Sequence, residues 1–144
     1  MMIPLSKPDI TSLEKKYVMD VLDSGRLSLG NKVKEFEAKF QTLLNIPYAV
    51  AMNSGTSALH AAVKALGLTA GDEVITSAYT YTASASIIDH VGAKIVLVDT
   101  APDSFEMDYS KLANAITENT KAIIPVDLAG KMCDYDSIYE IVES

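Results

Sequence analysis

Asn53-Ser54-Gly55-Thr56-Ser57 places three hydroxyl side chains and a glycine between an apolar run and a helix, a set suited to holding a phosphate group. Residues 48–52 read as a buried strand, while Ala58, Leu59, Ala62, Val63 and Leu66 recur at helical spacing until Gly67. A strand then turns directly into a helix N-terminus. The backbone N–H groups of Gly55, Thr56 and Ser57 fall in a first turn that offers them no intrahelical acceptor, and the helix dipole favours an anion there. Gly55 lets a ligand come close and two hydroxyls add donors. A capped helix without any ligand uses the same residue types, so this stretch alone leaves both readings open.

Tyr79 and Tyr81 come after the next apolar run, just ahead of another helix. Alternation directs one ring toward a ligand and the other away, and a flat ring beside a phosphate cup suits a planar heteroaromatic molecule. Packing of both tyrosines between helix and sheet is the alternative. Two aspartates occupy comparable positions after later strands: Asp99 reads as a turn or cap residue, and Asp127, near a glycine turn, is open between roles. Cys133 reads as a packed or loop thiol, and His60 and His90 as structural or solvent-facing.

The elements that must position these residues follow from periodicity. Thr11-Ser12-Leu13-Glu14 forms a capping box, after which Leu13, Tyr17, Val18, Val21 and Leu22 trace one helix face. Residues 26–31 form a connector, and Val33, Phe36, Phe40, Leu43 and Leu44 mark a second amphipathic helix before Pro47. Strand and helix then alternate: 48–52 and 56–66, 73–76 and 82–91, 94–98 and 110–116, 122–126 and 135–142. The short, continuous, β-branched strands predict an α/β fold with a mainly parallel sheet covered by helices. The expected division is a helical segment, 1–47, and a βα array, 48–144. The array stops after a helix where its rhythm calls for a strand, so the chain reads as cut short.

Composition narrows the chemistry. In 144 residues, 49% apolar, the net charge is −7, the lysines are scattered and Arg26 is the only arginine, which argues against a nucleic-acid partner. One cysteine excludes an internal disulfide framework, and two histidines leave no clustered zinc site. No apolar stretch approaches the ~20 residues that span a bilayer, and the N-terminus lacks a basic-then-apolar leader, so no membrane partner and a cytoplasmic location are expected. Neither Gly-x-Gly-x-x-Gly nor Gly-Lys-Ser/Thr occurs, which disfavours dinucleotide and P-loop readings of the cup.

Read in order, Asn53-Ser54-Gly55-Thr56-Ser57-Ala58-Leu59-His60, Gly71-Asp72-Glu73-Val74-Ile75, Tyr79-Thr80-Tyr81-Thr82-Ala83-Ser84-Ala85, Val98-Asp99 and Thr120-Lys121-Ala122-Ile123-Ile124-Pro125-Val126 resemble the first part of a DegT/DnrJ/EryC1/StrS aminotransferase. The opening Ile3-Pro4-Leu5-Ser6-Lys7-Pro8 and the connector Ser24-Gly25-Arg26-Leu27-Ser28-Leu29-Gly30 are similar to that family's N-terminal pattern. The resemblance implies the large domain of a fold type I, aspartate aminotransferase-like transferase that uses pyridoxal 5'-phosphate (PLP). It further implies a nucleotide-linked keto sugar as substrate, an amino acid as amino donor, and a homodimer. Carried over by residue, it places the cofactor phosphate on Gly55, Thr56 and Ser57, the stacking aromatic at Tyr81, and an active-site rim or subunit contact at Leu27 to Gly30. Asp127 departs from the pattern, since many members carry a histidine there, followed by an aromatic and glycine.

PLP catalysis also needs a Schiff-base lysine and a carboxylate on the pyridinium nitrogen. The resemblance puts both beyond Ser144, so no catalytic residue is assigned and the chain alone is expected to be inactive. Lys131 is the one lysine near a carboxyl edge, and it is a poor substitute. Other readings are a PLP-dependent sugar dehydratase or another fold type I enzyme, and a non-catalytic phosphate-binding domain.

Overall fold

The computed structural model describes residues 3, 4 and 6–143, which form two compact units divided between Ala51 and Met52. The first holds α1 (Ser12–Asp23) and α2 (Asn31–Leu44). Its capping box forms as the sequence predicts: Leu13 N–H donates to Thr11 Oγ1 at 3.1 Å, and Thr11 N–H donates to Glu14 Oε2 at 2.6 Å. Neither helix contains a buried residue, and the Val18, Leu22, Phe36 and Leu43 side chains are exposed. In the connector, Leu27 and Leu29 are exposed, and Leu29 adopts φ 49°, which is uncommon for a side chain of that bulk.

The expected strand over 48–52 does not form. Those residues run irregularly, with Tyr48 and Val50 exposed, because no described strand lies alongside to complete a ladder. Ala51 N–H instead donates to Glu37 Oε1 of α2 at 2.9 Å. The division between units therefore falls later than residue 47.

The second unit contains α3 (Gly55–Ala65), β1 (Glu73–Ser77), α4 (Ala83–His90), β2 (Lys94–Val98), α5 (Tyr109–Ala115), β3 (Thr120–Ile124), a 3-10 turn (Leu128–Gly130) and α6 (Tyr135–Glu143). The sheet is parallel in the order β2-β1-β3. β3 begins earlier than the predicted 122–126, since Thr120 already pairs with Glu73 and Pro125 has no N–H to continue the ladder. Alternation along β1 splits the core. Val74 faces Val63 of α3 and Ile87 and Ile88 of α4, while Ile75 faces Leu112 of α5 and Ile138 of α6. Helices thus cover both faces, as the apolar strands require. Among the described residues no helix is long and apolar enough to cross a membrane.

Glu73 closes the amino edge of the sheet. It is 7% exposed, lies 2.7 Å from Lys94 Nζ through Oε1, and accepts from the Thr117 hydroxyl at 2.7 Å through Oε2, joining β2, β1 and the approach to β3. The Lys94 bond, then the Thr117 bond, hold its carboxyl below the usual glutamate value. A carboxylate whose folded pKa is lowered contributes stability above its unfolded pKa and loses it as pH falls through that range and on to the lowered value. Glu73→Gln should therefore lower the melting temperature at pH 7, and the gap to the parent chain should narrow as pH approaches 3. A gap independent of pH would show that the carboxylate's charge is not what stabilises this edge.

Candidate functional site

A helix of 11 residues and a strand of five each span about 16 Å, and the two are joined by the short turn between Ala65 and Glu73. Val63 of α3 packs on Val74 of β1 and on Ile87 and Ile88 of α4, and the reversal before β1 directs the α3 N-terminus toward the carboxyl edge of the sheet. Topology predicts a crevice at that edge. β1 leaves through α4 on one face and its neighbour β3 leaves toward α6 on the other, and ligands of doubly wound sheets gather where adjacent strands diverge in this way. The two strands are tied at its base, where buried Thr76 Oγ1 donates to Ile124 O at 2.9 Å.

Ser54 caps α3 in an extended conformation, its Oγ accepting from Ser57 N–H at 3.1 Å and donating to Ser57 Oγ at 3.0 Å. The Ser57 amide, which the sequence left open for a ligand, is thus already satisfied. Its hydroxyl is not: accepting from Ser54 leaves the Ser57 O–H proton able to donate outward. The Gly55 and Thr56 amides have no intrahelical acceptor, because the first helical carbonyl, Ser54 O, is taken by Ala58 N–H at 3.1 Å. A Cβ built on Gly55 meets nothing within 4 Å, so no protein neighbour demands glycine there. Two bare amides, two hydroxyls and the positive end of an 11-residue helix make a donor set that fits a phosphate ester.

The two tyrosines separate. Tyr79 stacks on Phe105 with ring centroids 5.2 Å apart and planes 23° apart, whereas Tyr81 is 79% exposed. Tyr79 N–H donates to Ser77 Oγ at 3.2 Å, and Ser84 N–H to Tyr81 O at 3.0 Å, so the segment between β1 and α4 is held at both ends.

Asp127 organises the loop after β3. Its Oδ1 accepts from Cys133 N–H at 2.9 Å and its Oδ2 from the Tyr135 hydroxyl at 3.1 Å; these bonds, the Cys133 amide foremost, hold its carboxyl below the usual range. The enclosed turn carries Ala129 at φ 54° and Gly130 at φ 83°. Burial, reinforced by the Asp127 charge, pushes the Cys133 thiol up, and Cys133 Sγ donates to Val126 O at 3.2 Å. Such a thiol stays protonated and does not attack. Lys131 Nζ sits 2.7 Å from Glu106 Oε1, which raises its pKa. Amine nucleophiles require the opposite shift, so Lys131 is a paired surface cation. Asp99 accepts from Thr100 N–H at 2.9 Å and pairs loosely with Lys111 at 3.6 Å, a turn residue's role. His60 and His90 bring their rings within 5.7 Å of each other.

Phe105 and Glu106 were not legible as site residues. The only signal was a large apolar residue inside the polar stretch Asp103-Ser104-Phe105-Glu106, bounded by neither helical nor strand periodicity.

Comparison with known proteins identifies the frame. GDP-perosamine synthase of Caulobacter vibrioides is 42% identical over 140 residues, 96% of this chain and 38% of that protein. The spore coat polysaccharide biosynthesis protein SpsC of Bacillus subtilis is 42% identical over 142 residues, 99% of this chain and 36% of that protein. The solved PLP form of the sugar-aminotransferase homologue Spr1654 of Streptococcus pneumoniae superposes with a TM-score of 0.92 at 51% identity, over 98% of this chain and 36% of that one. Escherichia coli GDP-4-keto-6-deoxy-D-mannose-3-dehydratase, solved with bound hydrated PLP, superposes with the same score, 0.92, at 31% identity, over 98% of this chain and 38% of that one. The chain thus spans little more than a third of the length of these relatives. The sequence profile of the DegT/DnrJ/EryC1/StrS aminotransferase family matches residues 8–144, and the chain belongs to that family.

Proposed function

We propose that this chain serves a PLP-dependent aminotransferase that moves an amino group from an amino acid to a nucleotide-linked keto sugar, in a cytoplasmic homodimer. Residues 52–144 contribute the cup for the cofactor phosphate and one face for its ring. The observation that carries this reading is a pair of uncapped amides, Gly55 and Thr56, at the same sheet edge as the exposed ring of Tyr81, in a chain half identical to a protein solved with PLP. When bound, the cofactor supplies the electron sink for the carbon that gives up or accepts the amino group.

The chain's own residues anchor and orient. The Gly55 and Thr56 amides and the Thr56 and Ser57 hydroxyls hold the phosphate, and Ser54 fixes the Ser57 hydroxyl to face it. Tyr81 offers its π face to the ring, and Tyr79, committed to Phe105, stiffens the segment that carries Tyr81. The exposed apolar faces of α1 and α2 suit a second subunit. Identity favours amino transfer over the dehydratase alternative, at 51% against 31%.

No described lysine is placed to hold the cofactor covalently, and Lys131, the nearest candidate by position, is kept protonated by Glu106. Incubated with PLP, an amino acid and a nucleotide-linked keto sugar, the 144-residue chain should form no amino sugar, while the same residues within a polypeptide of the relatives' length should form it. Absence of product from the longer polypeptide would overturn the functional reading. Product from the homogeneous short chain would overturn the assignment of Lys131.

A further inference from the structure

The dipeptide Phe105-Glu106 lies on the loop after β2, yet its side chains reach the loops after both other strands. Phe105 stacks on Tyr79, which follows β1, and Glu106 pairs with Lys131, which follows β3. Its own loop is stiff. Thr100 and Met107 pair antiparallel, Ala101 N–H donates to Glu106 O at 3.0 Å, Asp108 N–H donates to Asp99 O at 2.9 Å, and Glu106 N–H donates to Ser104 Oγ at 3.1 Å. Met107 is buried in the same cluster as Leu112 and Cys133, so the loop is rooted in the core immediately after the dipeptide.

Phe105 is 63% exposed and Tyr79 51% exposed, so burial does little to explain why this ring sits where it does. The stack and the ion pair do explain it: each ties the dipeptide to a neighbouring loop, and the Asp134 N–H bond to the Tyr109 hydroxyl at 2.8 Å adds a further tie between the segments after β2 and β3. We infer that Phe105 and Glu106 are positioning residues, a brace that sets the spacing of the two crevice walls. Phe105 holds the segment carrying Tyr81, and Glu106 holds the turn carrying Asp127 and Lys131. The functional meaning of this brace rests on the cofactor reading above, while the brace itself is measurable without cofactor.

Amide hydrogen exchange in the full 144-residue chain tests it. Phe105→Ala should speed exchange at Tyr79 and Ser84 by about tenfold or more and leave Gly130 and Lys131 unchanged, with Phe105→Tyr restoring the parent pattern. Glu106→Gln should do the reverse, speeding Gly130 and Lys131 and sparing Tyr79 and Ser84. The mostly exposed Phe105 can be removed without opening the core, so the melting temperature of Phe105→Ala should fall by no more than the few degrees that loss of the stack accounts for. Titration with PLP adds a functional readout, with several-fold weaker binding to Phe105→Ala and recovery in Phe105→Tyr. Unchanged exchange at Tyr79 and Ser84 in Phe105→Ala, or equal acceleration along the whole chain, would overturn the brace. Failure to bind PLP, in the 144-residue chain and in a polypeptide of the relatives' length alike, with the exchange pattern as expected, would count against the cofactor reading and leave the brace standing.

Discussion

Replacing Gly55 with aspartate should leave the chain at least as stable while removing its affinity for phosphate esters. The two effects have opposite signs because they draw on the same helix end. Gly55 is the first residue of α3, its φ is not in the left-handed region, and a Cβ there meets nothing within 4 Å. A side chain therefore fits. A negative charge in the first turn complements the helix dipole, by roughly 0.3–1 kcal/mol, and aspartate is a somewhat better helix former than glycine. A phosphate held by the Gly55 and Thr56 amides would meet that carboxylate within a few ångströms. Repulsion of unit charges about 4 Å apart runs from about 1 kcal/mol in bulk water to about 4 kcal/mol near a protein surface, enough with the steric block for at least a tenfold loss. Titration of labelled chain with PLP should shift the Gly55, Thr56 and Ser57 amide resonances in the parent and not in Gly55→Asp, whose melting temperature should be equal or higher. Parallel loss of binding and stability would mean that Gly55 serves the fold. Binding that survives the substitution would move the phosphate elsewhere.

The alternation of short apolar runs with helical periodicity from residue 73 onward was enough to place three parallel strands and their covering helices, because continuous β-branched runs such as Lys94–Val98 have few other stable environments. Local pattern failed where strand formation depends on a neighbour. Residues 48–52 have strand composition, but a ladder needs a second chain segment at hydrogen-bonding distance, and composition carries no information about that. The cup was legible as residue types and only partly as hydrogen bonds. Ser, Thr and Gly at a helix start announce free donors, yet which amide the cap consumes is settled by the χ1 angle of Ser54, and it consumes that of Ser57. Asp127 was open in sequence for a similar reason: its partners, Cys133 and Tyr135, lie six and eight residues away across a left-handed turn that no periodicity marks. Phe105 was invisible because the residue it serves, Tyr79, is remote in sequence, and a stacked pair leaves no trace in either residue's own neighbourhood.

The stacked pair gives the second large expected effect, which separates the two tyrosines. The alternation expected from the sequence does not separate them: both follow β1, two residues apart, and a two-residue spacing in extended chain directs side chains to the same side. Their surroundings do. Tyr79 has a ring partner in Phe105, and its removal forfeits an aromatic pair, about 0.5–1.5 kcal/mol, together with the area that the two rings cover on each other. Tyr81, at 79% exposure, has little to lose in the chain without ligand. Tyr79→Ala should accordingly lower the melting temperature by several degrees, whereas Tyr81→Ala should leave it within a degree or two. With PLP the order reverses. A ring face stacked on the pyridine contributes on the order of 1 kcal/mol beyond area burial, so Tyr81→Ala should weaken PLP binding several-fold or more, and Tyr81→Phe, which keeps the face, should retain it. Tyr79→Ala should weaken binding less than Tyr81→Ala does, through the looser segment alone. Melting curves and PLP titrations on the four chains decide the matter. If PLP affinity is untouched by Tyr81→Ala and falls with Tyr79→Ala, then the Phe105 stack opens to admit the cofactor, and Tyr79, not Tyr81, faces its ring.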